Sequence, residues 1–569
     1  VTGVQTCALP IYLYSFIGFR AGNGGNSSAP YSAGGSNTAI GYESLKGFTT
    51  GYQNVAVGYQ AGLSITTGQR NIAIGTQALQ QNTTSHGNIA IGYRTLYNAV
   101  NASSYQIAIG DGALHNHSGS ADDYALAIGF EAGYNSQTDI GAVMIGYRAG
   151  YRASGFSGIY MGSQAGLKST GGGVYIGRDA GAGAENYSGG SIAIGYLSGT
   201  VFMSTSDNNV FVGMQAGRYA TGSNNTFIGE QAGLGGTTSA PYSSGQYSTA
   251  VGSEALKSFT TANYNTAYGY RSLYNITTGQ YNTAIGVNAG FSKTATNYDI
   301  IIGQNAGYNL SGGDGQNTIM GVDAAYYQNI AAANVIIGQQ AMYGSNTTDN
   351  AYKNVAIGNH ALQQTVTGDN NVALGWKAGY KNVGNYNVYL GSMVSASAAG
   401  VDHEIVIGAG TSVSTWLEGG GTETVRIGNT TDFITNDFGE NATWTHSSDR
   451  RVKKNIKDTN LGLEFILKLQ PKEFQKKAPS EYPPEFSGYN PDITERKNPD
   501  KIHYGFIAQE VKEVMDEVGH SEFPVWKENR DGMQELGEAE LITPLVKAVQ
   551  ELTEIVKSQQ KEIEELKNK

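Results

Sequence analysis

Between residues 12 and 410 the chain repeats one short arrangement of apolar and polar positions about two dozen times. Copies read Asn37-Thr38-Ala39-Ile40-Gly41, Asn54-Val55-Ala56-Val57-Gly58, Asn71-Ile72-Ala73-Ile74-Gly75 and Asn371-Val372-Ala373-Leu374-Gly375. After two further residues most copies continue with Ala-Gly or Ala-Leu, as in Ala61-Gly62 and Ala78-Leu79. The spacing from Gly to Gly is mostly 17 to 18 residues. Self-similarity at a short fixed period marks a solenoid, and this period is too short for helical-hairpin repeats, which need about 33 residues. β-Branched, aromatic and small residues edged by Gly and Asn predict strands and turns. The expected fold is mainly β: a repetitive parallel β-roll or β-solenoid rod. At roughly 4.8 Å per coil it would extend on the order of 115 Å.

Side chains alternate along a strand. The apolar residue before each Gly and the residue two earlier therefore share a face, which we expect to line the coil interior. The residue between them is often Ala but sometimes aromatic, as at Tyr160, Tyr175 and Phe211, or Ile301. We expect that stripe to face outward and, being apolar, to form a subunit interface. The recurrent Gly suits a positive φ or a close backbone approach. The recurrent Asn fits either an amide ladder between coils or simple turn chemistry; both readings stand at this point.

A longer duplication overlies the short one. Phe16-Ile17-Gly18, Ala29-Pro30-Tyr31-Ser32 and Ile65-Thr66-Thr67-Gly68 return as Phe227-Ile228-Gly229, Ala240-Pro241-Tyr242-Ser243 and Ile276-Thr277-Thr278-Gly279. A block of about a dozen coils has been copied whole, which nearest-neighbour architectures tolerate. The stretches around Pro30 and Pro241 read as inserted loops.

Composition narrows the picture. Gly is abundant (79 residues) without a G-x-y period, which excludes collagen. The single Cys excludes a disulfide framework, and no metal or cofactor site is expected. A net charge of −11 provides no basic footprint for nucleic acid. No apolar run approaches the roughly 18 residues of a membrane span. Residues 1–11 resemble the translation of a sequencing-library adaptor; on that reading Cys7 is not natural and this segment is left out of fold reasoning.

The N-x-A-I-G-x-x-A-G coils resemble the head repeats of trimeric adhesins and the shafts of bacteriophage tail fibres. That resemblance implies a left-handed β-roll of three intertwined chains.

Beyond about Val401 the repeats become irregular. A neck or linker at 411–447 carries Trp416, Phe433, Phe438 and Trp444. From Ser448 onward the composition shifts, with more than half of all Lys and Arg and most of the Pro. This marks a domain boundary, so 448–569 is read as a small α+β domain. Its opening, Ser448-Asp449-Arg450-Arg451-Val452-Lys453, and a later segment, His503-Tyr504-Gly505-Phe506-Ile507-Ala508-Gln509-Glu510-Val511, resemble the two motifs of the intramolecular chaperone domain of phage endosialidases and tail fibres, the peptidase S74 family. The family pattern S-D-x-R-x-K falls on Ser448, Asp449, Arg451 and Lys453. The resemblance implies a domain that assists trimer assembly and then cuts itself off at the Ser448-Asp449 junction.

The residues allow that chemistry. A serine hydroxyl needs a base, and a lysine can serve if burial or neighbouring positive charge lowers its pKa. Ser448 is the candidate nucleophile and Lys453, flanked by Arg450, Arg451 and Lys454, the candidate base. Asp449 follows the cut. Arg451, His503, Gly505 and Gln509 are candidate supporting residues; a lone His is more often structural.

From about 541 to 567, Ile542, Leu545, Val549, Leu552, Val556, Gln559, Ile563 and Leu566 follow alternate steps of three and four, an a/d coiled-coil seam. Gln559 is a polar seam position suited to fixing register. The plainer alternative is a helix packed on its own domain. Pro544 falls near the first turn, where it is tolerated.

These features point to a homotrimeric fibre or tailspike subunit of a virion that binds a host cell-surface glycan or protein. Alternatives are a bacterial surface adhesin and a fibre with polysaccharide-degrading activity. The adhesin class of trimeric autotransporters needs a membrane barrel, whereas Glu564-Glu565-Leu566-Lys567 is charged and not alternating. A glycosidase needs two placed carboxylates, and Asp and Glu are sparse in the repeats. The G-G-x-G-x-D-x-U-x pattern of calcium-binding rolls is absent. Tyrosines after the repeat Gly, among them Tyr42, Tyr59, Tyr93 and Tyr196, could form ladders that stack on sugars, or could simply cover the coil edge.

Overall fold

The computed structural model describes residues 14–568 except 26–31, 99–103, 118–123, 139–140, 156, 184–189, 202–206, 239–241, 346–348, 365–366, 382–383, 412–414, 438–440, 447–448, 487–488, 490, 493, 496–498 and 530. The adaptor-like segment with Cys7, the loop tips at Pro30 and Pro241, Phe438 and Ser448 therefore lie outside the described residues. The chain divides into two compact units, Val1–Ser447 and Ser448–Lys569.

The first unit is a parallel β-solenoid. Its main sheet has 26 strands, and further short strands form separate two- and three-stranded sheets; nearly all strands of the main sheet are three residues long, such as Thr38–Ile40, Val55–Val57 and Ile72–Ile74. They pair in parallel and in phase, so that Ala39, Ala56, Ala73, Ala90, Ala108 and Ala127 lie in one row. The Gly that ends each strand forms a row of its own. Gly75 has φ +131°, and a Cβ there would stand 2.3 Å from the carbonyl oxygen of Gly92 in the next coil. Only glycine permits both the conformation and the approach.

The facing of the strand residues is opposite to the expectation. Ala39, Ala56, Ala73, Tyr160, Tyr175, Phe211 and Ile301 are fully buried, whereas the flanking Ile40, Ile74, Ile228 and Ile300 are 37–44% exposed. The Ala stripe lines the coil interior, and the Ile/Val stripe lies on the outside. Periodicity of two separates the two sets but does not say which is inside, because both are apolar. Packing decides it: the inward residue is most often Ala beside a buried Leu, and a larger one such as Ile301 is accommodated where the residue six later is small, here Gly307.

In many coils the inward strand residue and the residue six positions later are matched in volume. Where the inward strand residue is Ala, the residue six positions later is often Leu, as in Ala39/Leu45, Ala73/Leu79, Ala90/Leu96 and Ala356/Leu362, all fully buried. Where it is aromatic, that position is Gly, except opposite Tyr389, where it is the buried Ser395. A Cβ on Gly166, Gly181, Gly217 or Gly233 would lie 2.2–2.7 Å from the ring of Tyr160, Tyr175, Phe211 or Phe227, respectively. Core density is conserved while its source moves from one side of the coil to the other. The copied block keeps its contacts too: the ring centroids of Phe16 and Phe48 are 5.9 Å apart, and those of Phe227 and Phe259 are 5.5 Å apart.

The Asn row is an amide ladder. Asn71 donates from its backbone N–H (3.0 Å) and its side-chain amide (3.1 Å) to Oδ1 of Asn54, and also from that amide to the Ser85 carbonyl (2.9 Å). The positive φ of the corner belongs to the residue before each Asn, such as Gln53 (58°) and Arg70 (57°). These Asn side chains are buried, so the ladder satisfies backbone groups that water does not reach.

The parallel ladder ends at the neck. Thr424–Asn429 pairs in parallel with Ile405–Ala409 and antiparallel with Phe433–Asp437, which pairs antiparallel with Asn441–His446. Trp416 packs on Tyr380 (5.4 Å between centroids), and Arg426 lies over Phe433 at 4.3 Å.

The second unit is α+β. A 3-10 turn, Arg450–Val452, precedes the helices α1 (Leu463–Lys468), α2 (Ala508–Glu517) and α3 (Ile542–Lys567). Two short antiparallel pairs join Lys472–Phe474 with His503–Gly505 and Trp526–Glu528 with Gln534–Leu536. Leu461, Phe465, Leu469, Val511, Met515 and Val525 form its core. Among the described residues, no helix is long and apolar enough to cross a membrane, and no group of three or more His, Cys, Asp or Glu residues could hold a metal ion.

Candidate self-cleavage site and assembly helix

The opening motif folds as one exposed turn. Asp449 caps the 3-10 helix: its Oδ1 accepts the backbone N–H of Arg451 at 2.8 Å. The Arg451 guanidinium then doubles back and donates to both carboxylate oxygens, from Nε at 3.0 and 3.1 Å and from a terminal nitrogen at 2.6 Å. This fork-shaped pairing is geometry that arginine supplies and lysine does not. It holds the Asp449 carboxyl below the usual carboxylate range, through the Arg451 side chain first and its backbone N–H second. Lys453 ends the turn: its backbone N–H donates to the Arg450 carbonyl at 3.2 Å, and its side chain is exposed. The basic neighbours expected around it are present; burial is not. Ser448 lies outside the described residues, so its position relative to Lys453 does too.

The second motif is split between surface and core. His503 pairs with Phe474 across the two-stranded sheet, and their rings stack at 5.9 Å with an 18° interplanar angle. A Cβ on Gly505 would meet Oε1 of Glu538 at 2.6 Å, a contact that the flexible Glu538 side chain can relieve by moving. Phe506 packs on the core and Val511 is buried in it. Gln509, in the first turn of α2, is exposed, and Glu510 pairs with Lys472 at 3.3 Å. Much of this motif is thus a folding element that ties α2 to the core.

The C-terminal helix uses two faces. Pro544 and Ala548 are buried, and Glu551 accepts the backbone N–H of Leu463 at the start of α1 (2.7 Å). The face expected to be a seam points elsewhere: Ile542, Leu545, Val549, Leu552, Val556, Ile563 and Leu566 are 46–70% exposed, and Gln559 is exposed with them. Ile542 and Leu545 also line a groove with Ile466, Leu469, Pro471 and Phe506. The helix packs on its own domain at one end, and its a/d row is uncovered.

The tyrosines after the repeat Gly are surface residues, with Tyr42, Tyr59, Tyr93 and Tyr196 40–47% exposed. Tyr42 and Tyr59 stack on each other at 5.3 Å. A longer ladder, Tyr247, Tyr264, Tyr281 and Tyr298, has centroids 4.8–5.2 Å apart and was not anticipated from the sequence. Its signal is the Tyr that recurs three residues before the inward strand position, here Ala250, Ala267, Ala284 and Ile301. In both ladders the ring faces between coils are covered by neighbouring rings, leaving edges and hydroxyls for contact.

No curated protein and no solved structure matches the chain. Residues 448–520 match the model of the peptidase S74 family, described as chaperone of endosialidase; the match takes in both motifs and stops short of α3. That family consists of self-cleaving intramolecular chaperones, and a β-solenoid rod followed by such a domain is the architecture of a tail fibre or tailspike.

Proposed function

We propose that the chain is a subunit of a homotrimeric tail fibre or tailspike whose rod binds a host cell-surface glycan or protein. Its C-terminal domain guides assembly and then releases itself at Ser448-Asp449. The observation that carries this reading is the coincidence of two boundaries: the family match begins at residue 448, where the compact units divide. A cut there severs neither unit internally.

In this mechanism the Ser448 hydroxyl is the nucleophile on the junction carbonyl carbon; Lys453 takes its proton and passes it to the Asp449 amine as the C–N bond breaks, and water then hydrolyses the ester. Lys453 is exposed in the single chain. Burial of this side chain by neighbouring subunits would make it available as a base, coupling the cut to assembly. The uncovered a/d row of α3 and the outward Ile/Val stripe are the apolar surfaces available for the trimer.

The test is a denaturing gel with intact mass, comparing the expressed chain with Ser448→Ala and Lys453→Ala. Wild type should split near Ser448 and both variants should stay whole. A wild-type chain that is trimeric yet intact removes the cleavage. A monomeric, intact chain removes the fibre reading.

A further inference from the structure

One coil of the rod departs from the others in a way that carries chemistry. Its ladder slot holds Asp299 instead of Asn, and Lys293 takes the place that Ile276 occupies one coil earlier. Both side chains are 0% exposed. Lys293 Nζ contacts Oδ2 of Asp299 and Oγ1 of Thr296, and the Thr296 hydroxyl lies 3.2 Å from the same carboxylate oxygen. The other carboxylate oxygen, Oδ1, accepts the backbone N–H of Asn317 at 2.7 Å and its side-chain amide at 2.9 Å.

We propose that this corner is the site of an autocatalytic isopeptide bond between Lys293 Nζ and Asp299 Cγ. The four elements that amide formation needs converge here. The amine touches the carboxyl it would attack. The Oδ1 that becomes the oxyanion is already held by two N–H donors. A hydroxyl bridges amine and leaving oxygen. The surroundings are dry, lined by the coil interior.

The step balances without any co-reactant. One proton passes from the ammonium to Oδ2, giving a neutral amine and a neutral acid. The amine attacks Cγ, and negative charge gathers on Oδ1 under the Asn317 donors. Collapse breaks the Cγ–Oδ2 bond, and a second proton from the nitrogen reaches Oδ2 through Thr296. An ammonium and a carboxylate become an amide and one water. Burial pushes the Lys293 pKa down against the pull of Asp299, which favours the nucleophilic form. The product replaces two buried charges, each costly to desolvate, with one neutral amide, and staples the corner of its coil.

Intact mass and tryptic mapping of the purified full chain test this. Arg271, Lys293 and Lys353 bound the relevant peptides. With the bond formed, trypsin fails after Lys293, and a single peptide from Ser272 to Lys353 appears, lighter than its sequence mass by one water. Separate peptides Ser272–Lys293 and Thr294–Lys353 at full mass overturn the proposal. So does a loss of water that leaves Lys293 cleavable, which would indicate a cyclised aspartate. The double variant Lys293→Ile/Asp299→Asn reproduces the preceding coil's Ile276 and Asn282 and should show the full mass; the same water loss in that variant also overturns the assignment.

Discussion

Tyr160 occupies the space that a side chain at Gly166 would fill, with its Cδ1 2.3 Å from where that Cβ would stand. The pair shows how the rod varies its lining without changing its bore. Two residues six apart share one volume, and either can supply it.

This sharing predicts strong coupling. Ala73→Phe alone overpacks the coil at Leu79 and should destabilise it by about 1–3 kcal/mol or more. Ala73→Phe/Leu79→Gly copies the Phe211/Gly217 arrangement and should recover most of that loss. A double-mutant cycle read by hydrogen exchange at the coil measures the coupling. Additive effects would show that the two positions do not share a cavity.

The amide ladder sets a second expectation. Asn71→Ala leaves the Ser85 carbonyl without the donor it receives from Asn71, and the Asn88 N–H without its acceptor. Each buried orphan costs about 1–3 kcal/mol. The loss should centre on this coil and its neighbours, because coils are stabilised chiefly by adjacent ones. Local proteolysis or hydrogen exchange, rather than a global melt, is the suitable readout.

The outward stripe makes a prediction about association. Ile74→Asn, Ile91→Asn and Ile109→Asn together alter three consecutive outward positions and leave the inward Ala73, Ala90 and Ala108 untouched. The single-chain coil should survive, while the assembled fibre should dissociate at a lower temperature on a native gel. Unchanged dissociation would place the subunit contact on another face.

For Asp449 the direction of pH dependence follows from its pairing. A carboxyl held below its usual range contributes a contact that is complete above the unfolded-state pKa and lost as pH falls through the lowered, folded-state value. The carbon NMR signal of the Asp449 carboxyl should therefore titrate below the ordinary aspartate range. Arg451→Ala should move it back up. Arg451→Lys should restore only part of the shift, since the forked contact to both oxygens is lost. The pair is solvent-exposed, so the titration and not the global stability is the readout.

The two faces of α3 can be separated. Leu552→Glu/Val556→Glu lies in the uncovered row and beyond the contacts of Pro544, Ala548 and Glu551. The folded domain should persist by circular dichroism while sedimentation shows loss of the oligomer. Retention of the oligomer would show that the helix serves only its own domain.

Much of this was legible along the chain. The period, Gly row and Asn row gave the solenoid directly, because each coil must satisfy the same backbone geometry at the same register. The recurring Ala-Leu and Ala-Gly pairs carry the volume matching, which becomes legible only once the strand facing is known. The two C-terminal motifs marked the domain that matches the chaperone family, and the apolar steps of three and four marked its long helix, since local spacing specifies a helix face.

What the tertiary structure alone decided is the facing of the strands, the state of the Asn and the company of Lys293. A two-residue alternation of apolar with apolar has no polarity to read, so packing within the closed coil chooses the inside. Asn suits both turns and ladders, and only in-phase stacking of coils brings one amide onto the next. Lys293 and Asp299 look like ordinary surface charges in a linear sequence. They meet inside the core because closing the corner of one coil carries both side chains inward, where the neighbouring coil supplies the donors that complete the site.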